Sequence, residues 1–294
     1  MTMNHVSLLV LAAGLAVAFP AVSQDLYTGG APTAESLGWR VGCQAYSFNR
    51  FTFYEAVDKT ASIGLKYIEA YPGQRLSKDK PEDVTFDQNM SPELQKEVLA
   101  YLASKGVTLV NYGVVGISKD EAEARKLFDF AKAMGVETIV SEPAKNQLSA
   151  IAKLADEYGI KVAIHNHPKP SMYWDYKSVL KATDGLSKSV GSCADTGHWP
   201  RSGVDPKEAV VALADAGRIV SLHFKDLNEF GNREAHDVVW GTGVCNVKDI
   251  LAELKKRDVK AVFSIEYEHN WDNSLPEISQ CVRAFEEFAK ELAK

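Results

Sequence analysis

The chain has 294 residues, a formal net charge of −6 and four cysteines. An acidic balance of this kind argues against a nucleic-acid partner, because nucleic-acid-binding proteins usually present a basic face. The cysteines are scattered and form no Cys-x-x-Cys pair, so the chain is not a disulfide-dense scaffold.

An apolar run at residues 7–19 opens the chain, followed by Pro20 and the small-residue pattern Ala21-Val22-Ser23. This pattern is typical of a secretory signal peptide, and the run is too short for a comfortable membrane span. No Lys or Arg precedes the run, so an uncleaved N-terminal anchor is the alternative. We predict a signal peptide over residues 1–23, export to the periplasm, and no membrane association once the signal is removed.

Strand and helix patterns alternate after a polar lead-in over residues 24–36. Strands are predicted at 41–48, 67–71, 108–115, 138–142, 161–165, 189–195, 219–223 and 261–266. Helices are predicted between them, and several have clear start signals. Ser91 precedes Pro92 at the first turn of one helix, and Ser118 forms a capping box with Glu121 at the next.

Eight strand–helix pairs in one chain predict the fold class. About 270 residues remain after the signal peptide, which is the size of one large α/β barrel. A doubly wound open sheet is the alternative, but it usually carries a glycine-rich phosphate turn after its first strand. Here that turn reads Ser47-Phe48-Asn49-Arg50 and has no glycine. We therefore predict a single (β/α)₈ TIM barrel over residues 37–294, with its active site at the C-terminal ends of the strands.

Carboxylates and imidazoles stand at the C-terminal ends of these strands. The candidates are Glu69, Glu142, His165, His167, Asp195, His198, His223, Asp226, Glu266 and Glu268. Each histidine taken alone is more simply a hydrogen-bonded structural residue, but five strands place such groups at the same end. So many acids converging on one mouth are poorly tolerated without a cation. Oxygen and imidazole donors without a thiolate indicate one divalent ion: Mn²⁺, Mg²⁺, Co²⁺ or Zn²⁺.

Four motifs together resemble the xylose-isomerase-like TIM-barrel superfamily of sugar isomerases and epimerases, which also contains inosose dehydratases and endonuclease IV. They are Asp195-Thr196-Gly197-His198, His223-Phe224-Lys225-Asp226, His236 ahead of Trp240-Gly241-Thr242-Gly243-Val244, and Glu266-Tyr267-Glu268. The resemblance implies a metal held by residues on strands five to eight: His165, Asp195, His223 and Glu266. The chain departs from the ketose epimerases at strand five, where they carry a glutamate that is both ligand and base. Glu142 on the neighbouring strand is the alternative source of that carboxylate.

Roles follow from this resemblance and from the chemistry of the side chains. The expected catalytic residues are Glu266, Glu142, His165 and Lys225. The expected metal ligands are Glu142, His165, Asp195, His223 and Glu266. The expected substrate contacts are Glu69, His167, His198, Trp199, Asp226, His236 and Glu268. Five aromatic residues are candidates for a wall against a sugar ring: Tyr46, Tyr71, Trp199, Trp240 and Trp271.

The main hypothesis is a metal-dependent isomerase or epimerase that acts on a neutral sugar or keto-sugar through an enediolate. The histidine at strand five makes elimination or hydration on an oxidised glycoside, such as a 3-keto sugar, the alternative. A phosphorylated substrate is not indicated, because residues 268–272 contain no glycine-rich nest. An endonuclease IV-like nuclease needs histidines on the early strands, where this chain has Glu69 and Asn111. A non-catalytic sugar-binding protein and a homo-oligomer both stay open.

Overall fold

The structure is a computed structural model that describes residues 26–294; the predicted signal peptide lies outside this range. Eight parallel strands close into a barrel in which each strand pairs with the next along the chain, and the last pairs with the first. The strands are β1 (Trp39–Gln44), β2 (Tyr67–Ala70), β3 (Thr108–Tyr112), β4 (Thr138–Ser141), β5 (Lys161–His165), β6 (Val190–Asp195), β7 (Ile219–Phe224) and β8 (Ala261–Ile265). The predicted single TIM barrel is confirmed.

Helices connect the strands around the outside of the barrel. They are α1 (Pro32–Ser36), α2 (Phe53–Ser62), α3 (Pro92–Ser104), α4 (Glu121–Ala133), α5 (Leu148–Tyr158), α6 (Tyr176–Thr183), α7 (His198–Arg201), α8 (Pro206–Asp215), α9 (Val247–Lys256) and α10 (Leu275–Leu292). Five of these ten helices begin at a residue whose side chain accepts a backbone N–H, as Asp205 does at α8. The long loop between β2 and α3 also contains a two-stranded antiparallel sheet, Gln74–Arg75 with Thr85–Phe86.

The segment before the barrel takes part in the fold. Helix α1 packs against α10, where the buried carboxylate of Glu286 accepts hydrogen bonds from the Thr33 backbone N–H at 3.0 Å and its hydroxyl at 2.6 Å. Ala34 beside it is fully buried. Part of the segment that looked like a polar lead-in is therefore an ordered element docked on the barrel.

The first strand is shorter than its sequence predicts. β1 ends at Gln44, because the Gln44 side-chain oxygen accepts the Tyr46 backbone N–H at 2.7 Å and starts a 3₁₀ turn at Ala45–Phe48. The turn leaves Tyr46 partly exposed.

All four cysteines are buried and unpaired in the barrel. Burial raises the pKa of the Cys43 thiol to about 12, so it behaves as an inert core residue.

Among residues 26–294, no helix has both the length and the apolarity needed to cross a membrane.

Candidate active site at the C-terminal ends of the strands

Asp195, the last residue of β6, is fully buried, and its two carboxylate oxygens have different surroundings. Oδ1 accepts the backbone N–H groups of Gly197 at 2.9 Å and His198 at 2.7 Å, because the chain folds back directly after the strand. Oδ2 is buried without a hydrogen-bond partner. Burial opposes ionisation, but the ammonium group of Lys225 helps to hold the pKa of the Asp195 carboxyl well below its usual range. The charged Oδ2 is therefore directed into the site, where its neighbours are Lys225 Nζ at 3.1 Å and His165 Nε2 at 3.4 Å.

The ammonium group of Lys225 is buried among three carboxylates. Nζ lies 3.1 Å from Asp195 Oδ2, 2.8 Å from Glu266 Oε2 and 2.8 Å from Glu268 Oε2. Burial disfavours the charge, but the three acids hold the pKa of Lys225 well above its usual value. The protein thus supplies, from its own chain, part of the positive charge that so many acids require.

His165, the last residue of β5, lies between two acids. Its Nδ1 is 3.3 Å from Glu142 Oε1, and its Nε2 is 3.4 Å from Asp195 Oδ2. When Nδ1 carries the proton and donates to Glu142, the buried and otherwise unpartnered Nε2 presents a lone pair beside Asp195 Oδ2. A carboxylate behind a histidine is the arrangement that commonly orients a metal ligand. In this geometry Glu142 orients His165 and leaves the ligand position to it.

His223 on β7, like His165, lies between two carboxylates. Its Nε2 is 2.8 Å from Glu69 Oε1, and its Nδ1 is 3.0 Å from Glu266 Oε2. Asn111 and Ser264 donate to the second oxygen of Glu69, at 3.1 and 2.6 Å. Glu69, expected to contact substrate, is thus buried behind His223 and fixes its ring. With Nε2–H donated to Glu69, Nδ1 is the nitrogen that faces the site.

The residues present fit a divalent cation. Two sets of potential ligand atoms lie within 4.8 Å of one another in the described chain: His165, Asp195, His198 and Glu266, and separately Glu142, His165 and His167. Buried polar atoms are normally hydrogen-bonded. Asp195 Oδ2 and His165 Nε2 form no hydrogen bond, although Oδ2 has the Lys225 ammonium group 3.1 Å away, and a cation between them would bind both atoms. His223 does not belong to the first set, in which His198 takes its place.

The ring orientation of His198 argues against a ligand role. Arg201 Nη1 lies 3.0 Å from His198 Nδ1, and a guanidinium can only donate, so Nδ1 accepts and Nε2 carries the ring proton. Burial lowers the pKa of His198 to about 3, so the ring is neutral. A protonated Nε2 offers no lone pair to a metal. His198 is therefore set as a hydrogen-bond donor, and His223 Nδ1, which lies 3.0 Å from Glu266 Oε2, is another imidazole nitrogen that faces the site.

Replacing Arg201 should change the tautomer of the His198 ring. In R201M the guanidinium is lost from Nδ1, and both neutral tautomers of His198 become accessible. We expect ring ¹⁵N chemical shifts to show one Nε2–H tautomer in the native protein and averaged values in the variant. R233M, which removes an exposed arginine of the β7–α9 loop, is the control and should leave the spectrum unchanged. A native spectrum of the Nδ1–H form would refute the assignment.

Arg201 and Asp237 are functional-site residues that the sequence did not reveal. Arg201 donates to Glu268 Oε2 at 2.6 Å and lies 3.3 Å from Asp237 Oδ2, with its side chain 9% exposed. Burial raises the pKa of Asp237 to about 7. The only sequence signal for Arg201 was its spacing, since residues three apart share a helix face and Arg201 follows His198 by three. Asp237 lies in a loop, beside the His236 that the sequence did single out.

Asp237 should make stability depend on pH. Its folded-state pKa is raised above the ordinary 3.8, so its contribution to stability is fully present below about pH 4 and is lost as pH rises through about 7. D237N should remove this dependence, which amounts to up to about 4 kcal/mol. Urea unfolding with a chelator present, between pH 4 and 8, measures it. The exposed-residue variant D272N should keep the native slope, and equal slopes for D237N and the native protein would exclude this role.

A cavity of about 380 Å³ opens beside this cluster. Its lining is Gln44, Tyr46, Tyr71, Pro72, Val114, His167, Glu266 and Glu268. His167 Nδ1 lies 2.5 Å from Glu142 Oε1, and Ser171 donates to the other Glu142 oxygen at 2.9 Å. Burial opposes ionisation, but the bonds to His165 and His167 hold the pKa of the Glu142 carboxyl well below its usual range. Because Glu142 occupies Nδ1, Nε2 is the nitrogen that His167 can offer to a ligand.

Five of the seven expected substrate contacts lie outside this cavity lining: Glu69 and His198, which are described above, and three more, namely Trp199, His236 and Asp226. Trp199 is fully buried in the hydrophobic core, because the single turn of α7 directs its ring inward. His236 lies in the β7–α9 loop, where its ring stacks on His269 with centroids 4.4 Å apart. Among the expected aromatic wall residues, Trp240 is also in the core at 2% exposure. The cavity is therefore lined by fewer aromatic residues than the sequence suggested.

Asp226, the third of these residues, has a structural task. Its carboxylate accepts four backbone N–H groups, from Leu227, Gly241, Gly243 and Cys245, at 2.8 to 3.1 Å. A Cβ at Gly243 would lie 2.4 Å from Asp226 Oδ1, so the motif needs glycine there. Asp226 thus fixes the β7–α9 loop and has no oxygen left for a substrate.

The barrel, its strand-end acids and imidazoles, and a matching family model over residues 57–287 together place the chain in one family. The chain belongs to the xylose isomerase-like TIM barrel family. This superfamily includes sugar isomerases, epimerases and dehydratases.

Individual relatives support the fold. An uncharacterized protein of Methanocaldococcus jannaschii is 33% identical over 129 residues, which is 40% of this chain and only 41% of that relative. An uncharacterized protein structure from Parabacteroides distasonis is 33% identical, with a TM-score of 0.68 over 86% of this chain and 99% of the other. A D-tagatose 3-epimerase-like protein is similar at 20% identity, TM-score 0.66, over 86% and 98% of the two chains. The IOLI protein with a zinc atom is similar at 15% identity, TM-score 0.61, over 86% and 99%. The last two similarities show the fold alone.

Proposed function

We propose that this protein is a divalent-metal-dependent enzyme that removes a proton next to the carbonyl group of a neutral sugar or keto-sugar. The observation that carries the proposal is the Glu142–His167 pair, an oriented imidazole in the same cavity as Glu266. Perturbed, converging ionisable groups in a cavity mark the default position of an active site.

Four residues would hold the metal: His165, Asp195, Glu266 and, as the fourth, His223. Imidazole and carboxylate donors without a thiolate suit Mn²⁺, Mg²⁺, Co²⁺ or Zn²⁺. When bound, the ion supplies positive charge that polarises a substrate carbonyl.

The chain's own residues handle the proton. His167 Nε2 accepts it, and the Glu142 carboxylate at Nδ1 stabilises the imidazolium that forms. His198, held as the Nε2–H tautomer by Arg201, donates a hydrogen bond to a substrate oxygen. The ammonium group of Lys225 keeps Asp195, Glu266 and Glu268 ionised.

The number of free bases bears on the reaction type. Epimerisation by two bases needs one on each face of the substrate, whereas isomerisation and elimination can proceed with one. Here His167 is free to accept a proton, but Glu266 lies 2.8 Å from the Lys225 ammonium group and is one of the proposed metal ligands. Burial opposes ionisation of Glu266, yet the ammonium group of Lys225 helps to hold its pKa well below its usual range, which makes it a weak base. This favours one-base isomerisation, with elimination from a 3-keto-glycoside as the second candidate.

One incubation separates these reactions. Metal-loaded protein is mixed with methyl 3-keto-β-glucoside in D₂O and followed by NMR and ultraviolet absorbance. Isomerisation gives deuterium next to the carbonyl and an altered sugar without an enone; elimination gives enone absorbance and free methanol. Neither deuterium nor enone, with E266Q indistinguishable from the native protein, would overturn the proposal in favour of a sugar-binding protein.

A nuclease function gains no support from the early strands. Glu69 on β2 and Asn111 on β3 bond to each other at 3.1 Å and to barrel neighbours.

Export to the periplasm remains part of the proposal, because it would separate the enzyme from cytoplasmic sugar phosphates. A homo-oligomer stays a prediction.

A further inference from the structure

The cavity has two chemically different halves. Its polar half contains Gln44, His167, Glu266 and Glu268, and its apolar half contains Tyr46, Tyr71, Pro72 and Val114. A single sugar ring carries hydroxyl groups around its rim and would be served by the polar half. Apolar surface in contact with water is unfavourable, so a ligand that covers the apolar half gains affinity.

The apolar half is part of a wall of three aromatic rings, Tyr46, Tyr71 and Trp271. Tyr46 meets Tyr71 edge-on with centroids 5.2 Å apart and meets Trp271 edge-on at 5.6 Å. Both contacts are near perpendicular, at 80° and 82°, and Tyr46 stays 39% exposed. Tyr46 therefore keeps surface free for a ligand although it is held on two sides by neighbours.

The position of the wall relative to the proposed base defines a direction. Trp271, Tyr46 and Tyr71 follow β8, β1 and β2, which are adjacent in the barrel, whereas His167 follows β5. In a closed order of eight strands, β5 stands opposite β1. A substrate that touches His167 and the aromatic wall must span the mouth of the barrel.

We infer that the substrate is a glycoside whose second ring packs on the wall of Tyr46, Tyr71 and Trp271. The reacting sugar lies in the polar half next to His167, and the group attached to it, an aryl aglycone or a second sugar, covers the apolar half. Both kinds of group present a flat apolar face, which suits Tyr and Trp rings. The inference rests on the proposed function, since it places the reacting ring at the proposed base.

Calorimetric titration of unoxidised glycosides tests this without turnover. Methyl β-glucoside, phenyl β-glucoside and cellobiose are titrated into the metal-loaded native protein, Y46A and W271A. We expect at least one of the two larger ligands to bind about 10-fold tighter than the methyl glycoside, equivalent to about 1.4 kcal/mol. Y46A and W271A should each remove most of this preference, because they weaken binding of the larger ligand far more than binding of the methyl glycoside. Whichever larger ligand binds tighter identifies the second ring as aryl or sugar.

F230A is the matched control, because Phe230 is also an exposed aromatic residue, at 49%, but does not line the cavity. It should keep the full preference. Equal affinities of the native protein for all three ligands, or no binding of any, would overturn the inference. An equal loss for methyl and phenyl glycosides in both Y46A and W271A would overturn it too. If the protein exchanges deuterium into methyl 3-keto-glucoside but shows no preference for the larger ligands, this subsite is rejected and the proposed function stands. If it shows the preference but no deuterium exchange, the proposed chemistry is rejected and the subsite stands.

Discussion

H167Q should lower kcat by about 10²- to 10⁴-fold, the usual contribution of a positioned acid–base group. Glutamine is close in size and can donate to Glu142, but it cannot accept the substrate proton. Since His167 is not among the proposed metal ligands, we expect bound metal, measured by elemental analysis, to stay at the native level. The rate is read from deuterium exchange or enone formation.

H269Q is the matched control for this change, because His269 is an exposed histidine at the mouth that stacks on His236 and has no contact with Glu142. It should exchange deuterium at close to the native rate. Native activity in H167Q would remove His167 from the mechanism. Loss of metal together with activity would instead move it into the ligand set.

K225M should lower the free energy of unfolding of the metal-free protein by about 3–5 kcal/mol, as expected when one partner of a buried ion pair is removed. The variant leaves Asp195, Glu266 and Glu268 buried with their main cation gone. Added Mn²⁺ or Zn²⁺ should restore more stability to K225M than to the native protein, because a ligand that binds the folded state stabilises it. Urea unfolding with chelator and with metal measures both effects.

K248M provides the comparison for an ordinary ion pair. Lys248 pairs with Glu291 at 2.5 Å, but both side chains are about half exposed, so its loss should cost at most about 1 kcal/mol. If K225M were no less stable than K248M, Lys225 would not be neutralising the buried acids. If metal did not rescue K225M, ion and lysine would not share those carboxylates.

The barrel and the convergence of strand-end side chains at its mouth were predictable, because each depends on a pattern within a short stretch of chain. Alternating strand and helix signals define the barrel, and parallel strands bring their C-terminal ends to one mouth. Asp195, His165 and Glu266 could therefore be placed together from the amino-acid sequence. The choice between Glu142 and His165 could not be made, because it depends on which atom of each side chain faces Asp195.

Residues in loops were predicted less well, for a physical reason. Asp226 follows a strand and looked like a substrate contact, but its partners are N–H groups 1 to 19 residues further on, brought back by the turns of the loop. Asp237 and Arg201 meet because the β7–α9 loop contacts α7, where Arg201 also donates to the Ala235 carbonyl at 3.0 Å. Trp199 resembled a rim residue, and only the direction of the α7 turn shows that its ring is buried.

The carboxylate of Asp226 has a consequence for charge selectivity. TIM barrels often bind phosphate with the loops after their seventh and eighth strands. In this chain, four backbone N–H groups of that region are saturated by an anion that the protein itself provides. A phosphorylated sugar would meet occupied donors and a negative charge there, so under the proposed function this loop would favour an uncharged carbohydrate over a phosphorylated one.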